Sequence, residues 1–103
     1  MTTSEWLSRC TPRPPEALSR RIDELLGADR EAPAQPNILV SAAERTLAGL
    51  LARHATSRDA ALDLLAADAL VTYAFELAAD EPESLDDLAT SAMRRLSSAA
   101  PAP

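Results

Sequence analysis

Asp68, Thr72, Glu76 and Asp80 recur at every fourth residue. On a helix this spacing lines up three carboxylates along one slanted ridge. Facing inward among apolar side chains, such carboxylates would have raised pKa values or would need a cation to hold them. The chemistry on offer is a metal site or a general acid–base pair inside a helical bundle. Di-metal bundles of that kind use Glu-x-x-His pairs from two helices, and this chain has one histidine and no such pair. Facing outward, the ridge is simply the solvated stripe of a mostly buried helix, and that is the stronger expectation. No metal ligand is therefore assigned.

His54 falls in register with an apolar stripe and sits at the negative end of its helix, where a protonated imidazole is favoured. Tyr73 lies among Leu62, Ala66, Ala69 and Leu77, and a buried phenol there would need an acceptor such as Glu76. Asp68, Tyr73, Glu76 and His54 thus form the candidate ligand-binding set. A Cys10–His54 or Ser–His pair would need an orienting group and an oxyanion hole that no spacing supplies. Trp6, the single tryptophan, is expected to staple an N-terminal turn onto the rest.

Two glycines, Gly27 and Gly49, leave no room for a phosphate loop or a dinucleotide fingerprint. CxxC and HExxH motifs and basic–aromatic clusters are absent from the sequence. No catalytic residue and no cofactor are expected.

Several elements must position these residues. Apolar residues make up 47% of the chain and aromatic ones only 3%. Alanine and leucine must therefore build the core, which favours close-packed helices over strands. The expectation is an all-α fold: a small antiparallel bundle of four helices over 15–26, 37–54, 57–80 and 84–97, preceded by a short helical turn over 4–10. Residues 1–96 form one domain, with 97–103 a disordered tail.

Pro15 suits the first turn of the first long helix, and Gly27 its C-terminal cap. Residues 27–36 read as a polar connector, long for a helix–helix loop, that either is mobile or carries the chain across the bundle end. Asn37 is a plausible cap for the next helix, whose stripe is Val40, Ala43, Leu47, Leu50 and His54; Gly49 would allow a neighbour to approach closely. Ser57 caps the central helix, and the short break before it implies a hairpin. Ser84 and Asp87 give a capping-box-like start to the last helix, whose inner stripe is Leu85, Leu88, Ala89, Ala92 and Leu96.

The central helix is apolar on two sides. Leu62, Leu65, Ala66, Ala69, Tyr73 and Leu77 share one, and Leu64, Ala67, Val71, Ala74, Phe75 and Ala78 cover much of the other. Three amphipathic neighbours can cover much of this surface, and the excess would lie on the second side. Ala67, Val71, Ala74, Phe75 and Ala78 are the candidate interface of a homodimer, in which a two-fold axis uses the same patch twice.

Net charge is −6, concentrated in the second half of the chain, where two arginines face nine acids. This argues against nucleic acid and anionic membrane as partners. A lone cysteine and the lack of a signal-like N-terminus point to the cytoplasm. The functional expectation is a small cytosolic interaction or structural module, homodimeric through the central helix. The alternatives are a ligand- or metal-binding bundle using the central helix's carboxylates, and an acidic adaptor or inhibitor that takes a basic protein partner through Asp80, Glu81, Glu83, Asp86 and Asp87.

Overall fold

The organising element is α4, Arg58–Ala78. Ser57 caps it, its hydroxyl accepting from the Ala60 amide at 3.2 Å. The computed structural model describes residues 1–54, 56–79 and 85–99. Within it, α4 follows α1 (Thr3–Ser8), α2 (Glu16–Leu26), a 3-10 segment (Gly27–Glu31) and α3 (Pro36–Ala52), and precedes α5 (Leu85–Ala99). Among the described residues there is no strand, only an isolated bridge between Thr2 and Pro33.

One arc of α4 turns inward: Ala60, Asp63, Ala66, Ala67, Leu70, Ala74 and Ala78 are buried. α3 packs against this helix most extensively, with α2 and α5 on either side. Leu50 and Ala60 line one groove near the turn, and Ala43 and Ala67 line another farther along, so the two helices run antiparallel. With alanines on both helices at the contact, the backbones can approach closely. Leu39, Val40 and Leu70 supply the bulk at the centre.

The buried side of α3 is Leu39, Val40, Ala42, Ala43, Thr46 and Leu50. This is turned toward Ala42 and Thr46 relative to the expected stripe, because α3 serves two neighbours at once. Thr46 is tolerated there because its hydroxyl donates to the Ala42 carbonyl at 2.8 Å. Asn37 is not the cap; Gln35 holds that place and Pro36 takes the first helical position, where its missing N–H costs nothing. The helix ends at Ala52, and His54 leaves it with φ of 49°. Gly49 faces open space, so close approach does not explain it.

The connector is ordered. Its first half winds into the 3-10 segment, and its second half holds the N-terminus: the Thr3 amide donates to the Ala32 carbonyl at 2.8 Å and the Ala34 amide to the Met1 carbonyl at 3.0 Å. The backbone polar groups of both segments find partners in this way. α1 is closed by a capping box between Thr2 and Glu5. Hydrogen bonds from Thr2 hold the Glu5 carboxyl below its ordinary pKa. Trp6 then meets Tyr73 of α4 edge-on, with ring centroids 6.0 Å apart.

In α5, Leu88 and Ala92 are buried, with Leu85, Ala89 and Leu96 half-buried beside them. Arg95 ties this helix to α3, donating to Glu44 at 2.8 Å and to Ser41 at 2.6 Å. The helix runs on through Ser97 and Ser98 to Ala99, beyond the expected end, and Ser98 donates to the Arg94 carbonyl at 2.8 Å. The proposed Ser84 cap and residues 100–103 of the expected tail lie outside the described residues.

Candidate interaction surface

At about 100° per residue, the inner arc of α4 is centred between Asp63 and Ala74, which fixes what its outer arc presents. Ala61, Leu64, Leu65, Asp68 and Thr72 face out and are exposed, flanked by half-buried Val71 and Phe75. Leu64 is 54% and Leu65 57% exposed, high for leucines in the middle of a 21-residue helix. They border a groove of about 740 Å³ whose other walls are Ala43 and Leu47 of α3, Val71 of α4 and Leu96 of α5. Asp68 is the one charged residue along it.

The expected interface residues divide between inside and outside. Ala67, Ala74 and Ala78 are buried against the chain's own helices, with Ala67 at the floor of that groove. Val71 and Phe75 are half-buried and pack partly on the core. α3 covers the alanine side, and the exposed leucines, Leu64 and Leu65, lie about a quarter turn away from it. Sequence periodicity could not choose between the two faces, since both are apolar.

The candidate ligand set does not converge. Asp68 borders the apolar groove, whereas Tyr73 looks toward α1 on another side of α4. His54 is exposed and lines a shallow groove with Leu50, Ser57 and Leu64 near the α3–α4 turn. Glu76 is exposed and lies close enough to Cys10 and Tyr73 for its charge to act on both. Burial first, and Glu76 with it, pushes the Cys10 thiol up. Burial likewise raises the Tyr73 phenol, helped by the charges of Cys10 and Glu76. Cys10 and His54 stand toward opposite ends of α4, so no nucleophile–base pair forms. Asp68, Thr72 and Glu76 are all exposed, and Asp80 lies outside the described residues. No group of three or more His, Cys, Asp or Glu side chains among the described residues could hold a metal.

The carboxylate with a defined role is one that periodicity hid. Asp63, on the inner arc of α4, receives Arg21 of α2 through Nε at 2.5 Å and Nη2 at 3.0 Å. Arg21 also reaches Glu24 at 2.9 Å. These hydrogen bonds hold the Asp63 carboxyl below its ordinary pKa, against the opposing effect of burial. Arg20 behaves as expected of a solvated face, pairing with Glu16 at 3.0 Å. Asp86 and Asp87 are exposed on the first turn of α5, and the remaining acids of the proposed adaptor patch, 80, 81 and 83, lie outside the described residues.

No helix among the described residues is long and apolar enough to cross a membrane. Compared with known proteins, the chain matches no family, no curated protein and no solved structure.

Proposed function

We propose that this chain is a small, non-enzymatic helical interaction module that self-associates as a homodimer through the outer face of α4. The observation that carries the reading is the pair of exposed leucines, Leu64 and Leu65, beside a groove walled by Leu47, Val71 and Leu96. In a two-fold arrangement the leucines of each protomer enter the groove of its partner. Contiguous apolar patches of this kind mark interaction sites. The lone free cysteine, Cys10, accords with a reducing, cytoplasmic setting.

Burying the exposed half of a leucine is worth about 1 kcal/mol, so four leucines across the dyad supply about 4 kcal/mol before association costs. Association costs of about 4 kcal/mol or more offset that gain, so the net affinity must come from the groove walls. Sedimentation equilibrium from about 10 µM to 1 mM spans the relevant range. The wild-type chain is expected to move toward twice its monomer mass with concentration, and Leu64→Glu with Leu65→Glu to remain monomeric and folded. A monomer throughout this range rejects the homodimer. The exposed acids Asp86 and Asp87 would then favour the basic-partner reading.

A further inference from the structure

A second concavity lies where α1, the segment before α2, the 3-10 segment and α4 meet, on a different side of α4 from the leucine face. It encloses about 230 Å³, below the roughly 300 Å³ at which drug-sized sites begin. In a chain of net charge −6, its walls carry two arginines, Arg13 and Arg30, against one acid, Asp23. The Nε of Arg30 is buried and makes no hydrogen bond. Asp23 Oδ1 stands 3.6 Å away, too far for one, while Nη2 donates to Ser4 Oγ at 3.4 Å. A buried donor without an acceptor is costly, and an acceptor entering the cleft would relieve it.

Arg13 is exposed and takes part in no ion pair among the described residues. It lies near enough to Tyr73 for its charge to act on the phenol. With Ser4 accepting from Arg30, its own hydroxyl proton is left to donate. Ser19 and Tyr73 add hydroxyls from two further directions. Guanidinium forks on two walls with hydroxyls between them suit a tetrahedral oxyanion better than a planar one.

We propose that this cleft binds the phosphate group of a small molecule, with Arg13 and Arg30 as its charged contacts and Ser4, Ser19 and Tyr73 as neutral donors. Asp23 leaves the site with one net positive charge, so the affinity is modest. This goes beyond the homodimer reading and does not depend on it.

The only tryptophan packs edge-on against Tyr73, so Trp6 emission reports on the cleft. The full chain is titrated with inorganic phosphate and, separately, with glycerol 3-phosphate, at constant ionic strength held with sodium chloride. A saturable emission change with a midpoint below about 10 mM is expected. A tighter midpoint for the ester identifies a phosphorylated metabolite as the occupant, and an equal or tighter one for the free ion identifies phosphate itself. Arg13→Gln and Arg30→Gln should each weaken binding about tenfold or more, while Arg94→Gln on exposed α5 leaves it unchanged. Arg13 makes no ion pair among the described residues, so R13Q tests the site even if R30Q does not fold. No saturable change with either probe, the same change with sodium chloride alone, or wild-type binding by R13Q overturns the proposal.

Discussion

Replacing Asp63 with alanine tests whether the α2–α4 contact depends on one ion pair. The carboxylate is buried and accepts two hydrogen bonds from Arg21, at 2.5 and 3.0 Å. Removing one member of a buried pair typically costs about 3–5 kcal/mol, because its partner is left without compensation. Arg21 is different: its side chain is 34% exposed and keeps Glu24 at 2.9 Å. Solvent and that second carboxylate screen the loss, which brings the expected destabilisation to about 2–3 kcal/mol at neutral pH. The pH dependence follows from the depressed pKa of Asp63. The unfolded chain takes up this proton near pH 4, whereas the folded chain resists it to lower pH. The stabilisation is therefore complete above about pH 4 and is lost as pH falls through the folded-state value. Urea unfolding followed by circular dichroism at pH 7 and near pH 3 should show D63A well below wild type at the first pH and the gap narrowed at the second. A double-mutant cycle with Arg21→Ala should give a coupling of more than about 1 kcal/mol. A loss below about 0.5 kcal/mol, an unchanged gap in acid, or additive single mutants would refute the reasoning.

The two glycines should respond to alanine with opposite signs. Gly27 has φ of 53° and ψ of −125°, so G27A is expected to cost about 1–3 kcal/mol from backbone strain, with no clash to relieve. Gly49 is helical with open space where a Cβ would stand, so G49A should stabilise by about 0.5–1 kcal/mol; thermal melts of both variants decide. Leu70→Ala at the fully buried centre of α4 should cost about 2–5 kcal/mol in urea unfolding, and a loss under 1 kcal/mol would mean the core closes over the gap.

The helices were legible in the sequence because alanine–leucine periodicity, prolines and end residues agree. Gly27 and Ser57 sit where their local chemistry places them, while Pro15 stands just outside α2 as its N-cap and Glu16 opens the helix. The N-terminal docking was not legible: a connector reading GADREAPAQP carries no sign that Ala32 and Ala34 will pair with Thr3 and Met1. The orientation of α4 was equally hidden. Its two sides are both apolar, and only the position of α3 decides that Ala67 and Ala74 go in while Leu64 and Leu65 stay out. Asp63 drew no reading for a related reason, since a carboxylate on the inner arc makes sense only once Arg21 is seen opposite it. The cleft around Arg30 draws on segments distant in sequence, from Ser4 to Tyr73, and no local pattern brings them together.

The alanines along the inner arc of α4 give this fold an asymmetric tolerance to mutation. Alanine has no side-chain torsion to freeze, so Ala60, Ala66, Ala67, Ala74 and Ala78 bring the helix into the core at almost no rotamer cost. The same positions leave little for truncation to remove and little room for growth. A scan that shortens side chains would pass over these five positions unnoticed. A scan that lengthens them, alanine to valine or leucine, would force α3 and α4 apart at several consecutive turns. Sequence variation in this chain is thus bounded from above in volume, and its stability is set less by which large residues are present than by which small ones are kept.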